Sequence, residues 1–320
     1  MEKPRYVERD NEIIYRPPFL QADTTLTAWM VKGDRNAMQA VIDQQLNQPS
    51  GGKPYTYKAL LSHAMFVLAD IPQVRSTDPR DAQRGWCAET DVCFWILTAA
   101  YVGDQIDHIA WFIPYIWVDS PYTQANGREV FGFGKSFANA VMPKDPSDPG
   151  PFTAQGLVLP TYTPETEVQY APLFTMARDP ATTATELETF GPDDRVKAFT
   201  AIAKRISEVG DTLCGDWKFI LSLIEDALGK HLPMVFLKQF RDCVDPTAAC
   251  YQAIIESNST IQDFGGAGFL PLGWHMKLFP YASVDMGKYL GIESEVDVDL
   301  GFWVKFSFSI DLGKEVWRAS

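Results

Sequence analysis

VDVDLGFWVKFSFSI, residues 296–310, alternates apolar and polar side chains over nearly its whole length. Every even position is apolar, whereas the odd positions carry Asp297, Asp299, Gly301, Trp303, Lys305, Ser307 and Ser309. Because successive side chains of a strand point to opposite faces, this pattern predicts one long strand, or two that share a bend at Gly301. The length exceeds the usual strand of about five or six residues, which favours a barrel or a strongly coiled sheet.

Other stretches predict more strands and three helices. Apolar runs separated by Asp, Pro and Gly predict strands at 234–240, 250–256 and 274–279. The helices have capping residues or prolines at their boundaries and are predicted from Asp34 to Pro49, from Pro192 to Gly210 and from Asp216 to Gly229. The last two would form a helical hairpin. The predicted fold class is α+β, with a mainly antiparallel sheet and peripheral helices.

The proline-rich stretch 143–164 shows no periodicity. It is predicted to be an ordered surface loop that leads into an insertion at about 143–232, which carries the helical hairpin. The chain is therefore expected to be a single domain, 1–320, with this insertion serving either as a lid or as a contact between copies in a homo-oligomer.

Composition narrows the classes of partner. The 320 residues include 41 acidic and 28 basic side chains, a net charge of −13, which would repel a phosphate backbone. Nucleic acid is therefore not an expected partner, although a local basic pocket can still hold a small anion. The charged N-terminus and the absence of an apolar run of membrane-spanning length predict a cytoplasmic protein without a membrane contact.

Metal ligands and disulfides are not indicated by the spacing of histidine and cysteine. The histidines are scattered without ligand spacing: His63, His108, His231 and His275. The cysteines show no Cys-x-x-Cys motif and are expected to be buried free thiols: Cys87, Cys93, Cys214, Cys243 and Cys250.

GREVFGFGK, residues 127–135, carries the most chemical information. Read as a strand, it places Phe131, Phe133 and Lys135 on one face. Apolar surroundings disfavour the charged form of a lysine and lower its pKa, and a neutral amine can attack a ketone. The alternative is a lysine whose stem covers the two rings while its ammonium group reaches water.

This segment resembles the signature of the acetoacetate decarboxylase-like family, in which Gly-Arg-Glu is followed, six residues after the Glu, by a lysine that forms a Schiff base. On this register the lysine is Lys135. The paired runs PMVFLKQF, from Pro233, and ACYQAIIES, from Ala249, are similar to two core strands of the family. With a fainter match at 30–46, the resemblance covers about half of the chain. It implies a cone-shaped antiparallel β-barrel and a small keto substrate. No cofactor is implied, because the iminium itself withdraws electrons.

Two positions depart from the family pattern. Ser136 stands where the family has a second lysine that helps to lower the pKa of the first, and Thr24 stands where it has an arginine for the substrate carboxylate. Decarboxylation of acetoacetate is therefore less expected than the aldol condensation and dehydration that other family members perform on pyruvate-like keto acids.

The resemblance also assigns roles to other residues. Glu89, after a Gly-aromatic pair, is similar to a glutamate that shuttles protons or orients the substrate, and its alternative is a solvated surface acid. Substrate contacts are expected from Arg128, Phe131, Phe133 and Ser136. Arg128 would either hold a carboxylate or brace the strand. Tyr115 and Tyr122 are both candidate proton donors.

Two other hypotheses stay open. The first is a non-catalytic barrel that binds an apolar small molecule in its mouth, with Lys135 as a charged anchor. The second is an enzyme on the same barrel in which Glu89 enolises the substrate without covalent chemistry.

Overall fold

The structure is a computed structural model that describes residues 4–11, 13–179, 181–182, 187–210 and 231–319. The predicted third helix, Asp216 to Gly229, lies outside these residues, and so does the turn of the predicted hairpin. Within the described part of the chain, no helix is both long and apolar enough to span a membrane.

About half of the described residues belong to strands. The strands are β1 (Phe19–Lys32), β2 (Thr56–Ala59), β3 (His63–Ser76), β4 (Cys87–Val102), β5 (Gln105–Val118), β6 (Lys135–Val141), β7 (Phe152–Val158), β8 (Gln169–Arg178), β9 (Thr189–Phe190), β10 (His231–Arg241), β11 (Ala249–Phe269), β12 (Trp274–Leu278), β13 (Glu295–Asp297), β14 (Leu300–Ile310) and β15 (Lys314–Arg318). The three strands predicted at 234–240, 250–256 and 274–279 are confirmed as β10, part of β11 and β12.

Hydrogen bonds join seven of the strands into a closed ring. The order is β5, β10, β11, β14, β1, β3 and β4, and β4 pairs with β5 again. The β5–β10 pair is parallel, and the other pairs are antiparallel. Every strand of the ring adds a buried side chain to one core cluster: Leu26, Val67, Cys93, Ile116, Met234, Ile261 and Phe306. The predominance of antiparallel pairing follows the prediction.

A second group of strands continues from the ring at β6. β6 pairs parallel with β5, and β7, β8, β12 and β13 follow it in antiparallel order. The prediction of an ordered surface loop over 143–164 is therefore wrong for Phe152–Val158, because these residues form β7, which pairs with β6 and β8. β7 buries Phe152, Ala154, Gly156 and Val158. Ala154 and Gly156 are too small to produce a clear alternation of apolar and polar side chains. The sequence pattern therefore did not predict this strand.

The alternating stretch 296–310 forms two strands, but they do not bend at Gly301. β13 ends at Asp297 and β14 begins at Leu300, so the break lies at residues 298 and 299, before Gly301. β14 pairs with β11 on one side and β1 on the other. Its even positions from Leu300 to Phe306 are buried as predicted, and Ser307 and Ser309 are buried as well.

Helices lie around the sheets. They are α1 (Arg35–Ile42), α2 (Gln48–Ser50), α3 (Pro121–Asn126), α4 (Arg195–Val209) and α5 (Met286–Leu290), with π-helical turns at Asp43–Asn47 and Gly127–Phe131 and a 3₁₀ turn at Pro192–Asp194. The Asp34 side chain caps α1 by accepting a hydrogen bond from the Ala37 N–H group. α4 ends before Gly210 as predicted.

The thiols are less uniform than expected. Cys93 is buried and Cys87 is half-buried, whereas Cys243 and Cys250 are exposed on the β10–β11 hairpin, so the expectation of buried thiols is wrong for these two. Cys214 lies outside the described residues.

Candidate active site

Lys135 is the first residue of β6 and lies beside Ile116 of β5. The residue is 5% exposed. The strand predicted for 127–134 is wrong: α3 continues through the π-helical turn Gly127–Phe131, and a short link then leads into β6. The segment before Lys135 is therefore a helical turn and not a strand. Phe131, Phe133 and Lys135 nevertheless line one cavity together.

Two glycines of the segment are fixed by close packing. A Cβ atom on Gly127 would lie 2.8 Å from Cδ of Lys135, so this glycine leaves room for the lysine stem. Gly132 has φ +91°, and a Cβ atom there would lie 2.5 Å from the Cα of Lys238 in β10. These two positions bring the turn close to the lysine and to the ring.

Glu89 of β4 is the hydrogen-bond partner of Lys135. Glu89 is 1% exposed, and its Oε1 accepts a hydrogen bond from Nζ of Lys135. Asp91 lies two residues further along β4 and therefore on the same face, with Oδ1 3.9 Å from the same nitrogen. Of the two interpretations of Glu89, the solvated surface acid is excluded, because the side chain is buried.

The charges around Lys135 oppose the predicted neutral amine. Burial favours the neutral form, but Glu89 and Asp91 outweigh it, and together they raise the pKa of Lys135 above its ordinary value. The Phe133 ring also lies near the ammonium group, with its centroid 5.4 Å from Nζ. The expectation that apolar surroundings lower the pKa of Lys135 is therefore wrong, because the two acidic neighbours outweigh burial.

The environment of Asp91 favours the neutral form of its carboxyl group. Burial first, and the neighbouring Glu89 second, raise the pKa of Asp91 well above its usual range. Oε2 of Glu89 and Oδ1 of Asp91 are both buried and accept no hydrogen bond from the described residues. A proton on Asp91 fits this arrangement, which then consists of an ammonium group, one carboxylate and one neutral carboxyl.

The cavity around Lys135 has a volume of about 320 Å³. Arg75 of β3 and Gln21 of β1 line it, and neither was singled out in the sequence. Arg75 is half-buried and makes no ion pair or side-chain hydrogen bond with the described residues, whereas Arg84, also in the wall, pairs with Asp81 at 3.3 Å. Among the described arginines that line this cavity, Arg75 is thus the one whose charge stays available to an anion.

The N-terminal segment covers one side of this cavity. Ile13 and Tyr15 line it, and the backbone N–H of Tyr15 donates a hydrogen bond to Oδ1 of Asn126, 2.7 Å away. Arg16 fixes the same segment through an ion pair of 2.8 Å with the buried carboxylate of Asp81. Burial raises the pKa of Tyr15.

Several predicted residues lie away from the cavity. Arg128 is exposed, and its Nη1 donates a hydrogen bond of 3.1 Å to the backbone carbonyl of Lys135. Ser136 is exposed, on the opposite side of β6 from Lys135. Tyr115 stacks on Trp117, whereas Tyr122 lines the cavity.

Thr24 is buried further inside the ring, and its hydroxyl makes no hydrogen bond to the described residues. Among those residues, no group of three or more His, Cys, Asp or Glu side chains is arranged to hold a metal ion.

Comparisons with known proteins identify solved structures that have the same fold as this chain. No family model matches the chain, and no curated protein matches it significantly. The acetoacetate decarboxylase of Legionella pneumophila subsp. pneumophila str. Philadelphia 1 is similar with a TM-score of 0.58 and 14% identity, over 98% of this chain and 92% of that chain.

Two further solved structures are similar over nearly the whole chain. The enduracididine biosynthesis enzyme MppR complexed with pyruvate gives a TM-score of 0.57 and 13% identity, covering 96% of this chain and 93% of that chain. An acetoacetate decarboxylase-like enzyme from Sphingomonas wittichii RW1 gives 0.55 and 11%, covering 96% of each chain. The chain thus has the fold of the acetoacetate decarboxylase-like enzymes, which the sequence resemblance predicted.

Proposed function

We propose that this chain is a lyase that forms a Schiff base between Lys135 and the keto group of a small keto acid. The observation that carries the proposal is the buried Lys135–Glu89 pair, which opens onto a cavity large enough for such a substrate. A lysine that only supported the fold would not need to face a cavity. Support also comes from the similar structures, one of which is a decarboxylase while another holds pyruvate.

The ion pair provides the base for the first step. Glu89 takes a proton from the Lys135 ammonium group, and the neutral nitrogen then bonds to the carbonyl carbon of the substrate. The carbonyl oxygen receives two of the three ammonium protons through Glu89 and leaves as water, while the third proton stays on the iminium nitrogen. A substrate that excludes water and separates the pair would favour this transfer, because burial disfavours the charged amine.

The neutral carboxyl of Asp91 supports the same step. It lies beside Glu89 and gives its own proton to the departing oxygen in place of the second ammonium proton, which Glu89 passes to Asp91 as Glu89 returns to the carboxylate form. This relay passes protons between two neighbouring carboxyl groups, an arrangement suited to successive proton transfers.

The substrate carboxylate is assigned to Arg75. Its charge is not used by the described residues, and it lines the cavity that holds Lys135. A guanidinium group binds a carboxylate through two parallel hydrogen bonds. Arg75 would thus serve in place of the family arginine that Thr24 replaces, and Arg128 braces β6 instead.

Once formed, the iminium withdraws electrons from the adjacent carbon. A 3-oxo acid would then lose carbon dioxide, because the electron pair of the breaking C–C bond enters the iminium and gives an enamine. A 2-oxo acid such as pyruvate would lose a proton from the adjacent carbon to Glu89, and the enamine would add to an aldehyde before dehydration. We favour the second course, and the closed strand ring would serve as the cone-shaped barrel that encloses it.

Borohydride reduction tests the proposal. Treating the protein with pyruvate and sodium borohydride should add the mass of a reduced pyruvyl group, and Lys135→Arg should abolish the adduct. Lys277→Arg is the matched control, because Lys277 also pairs with a glutamate, Glu295, but is exposed. An adduct that survives in Lys135→Arg would overturn the proposal.

A second candidate function rests on the apolar interior of the ring. A protein that binds an apolar molecule without chemistry would show no adduct with pyruvate or acetoacetate yet would still bind hydrophobic dyes. Product analysis with acetoacetate, and with pyruvate plus an aldehyde, separates the decarboxylase from the aldolase-dehydratase.

A further inference from the structure

The interior of the strand ring continues inward beyond Lys135. A second cavity of about 40 Å³ begins at Lys135 and Asp91. It ends at Leu26, Trp95 and Phe306. Because Lys135 also lines the outer cavity, the lysine stands between the two spaces.

A third cavity, of about 90 Å³, shares Leu26, Trp95 and Phe306 with the second one. Its described walls consist of apolar or aromatic side chains, and Trp95 and Trp111 meet there edge to face with ring centroids 5.6 Å apart. The three cavities therefore form a series from the mouth at Lys135 to the far end of the ring, with shared side chains as the partitions.

Helix α4 closes the far end. Ile202 and Ile206 face the third cavity and are 5% and 4% exposed. The helix end is anchored because the N–H of Ser62 donates a hydrogen bond of 3.0 Å to the carbonyl of Gly210. A Cβ atom on Gly210 would lie 2.8 Å from Leu61, so this contact leaves no room for a larger residue.

Parts of the ring interior are not filled by the described side chains. In small closed sheets the interior is filled by side chains, or it holds one small ligand. The third cavity accepts apolar molecules, because water would find no hydrogen-bond partners among its described side chains. The third cavity thus suits hydrocarbon, whereas the second cavity, between it and the outer one, also has Gln21, Thr24 and Ser259 in its wall.

The positions of Arg75 and Lys135 determine the orientation of a bound keto acid. Arg75 lines the outer cavity and is absent from the walls of the inner two. A keto acid whose carboxylate meets Arg75 and whose keto carbon meets Lys135 has its remaining substituent directed inward.

We propose that the substrate of the Lys135 site is a keto acid with an apolar chain of several carbon atoms, and that this chain occupies the ring interior between Lys135 and α4. This inference rests on the proposed function and specifies its substrate class. Hydrocarbon in the interior also removes water from the surroundings of Lys135, which links recognition of the chain to loss of the ammonium proton.

Straight-chain 2-oxo acids test the inference directly. Pyruvate, 2-oxobutanoate, 2-oxohexanoate and 2-oxooctanoate are each trapped with borohydride, and the concentration that gives half of the maximal trapping rate is measured. We expect this concentration to fall by about fourfold for each methylene that enters the interior, and then to level off once the interior is full.

A blocking variant locates the chain. Ala203 lies in the wall of the third cavity, and Ala203→Phe should reduce the preference for 2-oxooctanoate over pyruvate by at least about 16-fold, the gain from two buried methylenes. Thr200→Phe is the matched control, because Thr200 is exposed on the same helix. It should leave the preference unchanged. Ile202→Ala, which enlarges the cavity, should instead increase the preference for 2-oxooctanoate.

The outcomes separate the two proposals. If no keto acid is trapped, the proposed function fails and the inference fails with it. If all four acids are trapped equally well, or if Ala203→Phe and Thr200→Phe behave alike, the apolar-chain inference is overturned while the proposed function stands.

Discussion

Lys135 and Glu89 depend on each other because both charged groups are removed from bulk water. Their side chains are 7% and 1% exposed. Breaking a buried pair leaves one charge without compensation, so the loss of either partner destabilises the protein. The sequence predicted both residues from a family resemblance, but it did not predict their pairing. Asp91 was missed, although its position two residues after Glu89 on a strand was a usable signal.

Glu89→Gln should lower the pKa of Lys135. The substitution removes the strongest influence that raises this pKa and keeps the burial that lowers it. We would follow the rate at which Lys135 reacts with trinitrobenzenesulfonate, by peptide mass spectrometry, from neutral pH to about pH 11. The midpoint should move to lower pH than in the unaltered protein. Glu295→Gln, at the exposed Lys277 pair, should have a smaller effect on Lys277, and a midpoint for Lys135 that stays or rises would contradict the account.

Asp91→Asn should change how the free energy of unfolding depends on pH. The free energy of the variant minus that of the parent should be larger at neutral pH than at acid pH. Because the pKa of Asp91 is raised in the folded state, the unfolded chain loses this proton at lower pH than the folded chain does. The folded parent therefore loses stability as pH rises from about 4 through the raised pKa, and asparagine has no such loss.

Urea midpoints of the parent and of Asp91→Asn across this range measure the difference between the two free energies of unfolding. The difference should grow in favour of the variant as pH rises. A difference that stays constant with pH would mean that Asp91 is ionised in the folded protein.

Arg75→Gln should weaken keto-acid binding by about tenfold to a hundredfold, the loss of a charge-assisted hydrogen bond. The half-saturating concentration of pyruvate in borohydride trapping measures the effect, and acetone, which has no carboxylate, should show a much smaller change. Arg80→Gln is the control, because Arg80 pairs with Asp78 outside the cavity. Equal losses for pyruvate and acetone would remove Arg75 from the substrate site.

At the scale of elements, the segment from α3 to β6 decides where Lys135 points. The sequence GREVFGFGK has the period of a strand, because glycines at alternate positions mimic the polar face, yet its first five residues form a helical turn. Local pattern was misleading here, since the conformation depends on the close approach of Gly132 to β10. β7 was missed for a related reason, because Ala154 and Gly156 are buried without being strongly apolar.

Gly132→Ala should destabilise the protein by about 1–3 kcal/mol or more, because a side chain at φ +91° is strained and its Cβ would overlap the backbone of Lys238. Gly134→Ala is the matched control, since the nearest atom to a Cβ there is 3.8 Å away. Urea unfolding of both variants gives the comparison. Equal stability of the two variants would show that Gly132 is not constrained.

At the scale of the whole molecule, the cavity is assembled from strands that are far apart in the chain. β1, β3, β4 and β6 all contribute side chains, and the segment before β1 covers one side. The alternating stretch and the antiparallel class were predictable because they depend on local periodicity. Arg75 and Gln21 were not, because their place in the wall depends on ring closure, which no single stretch of sequence records.

The crystal structure of the protein after treatment with pyruvate and borohydride tests the central claim most directly. The account predicts continuous electron density from Nζ of Lys135 to the former keto carbon, with the carboxylate at Arg75 and Glu89 within hydrogen-bonding distance of the new secondary amine. An unmodified Lys135 that still pairs with Glu89, with pyruvate absent from the cavity or attached to another lysine, would contradict it.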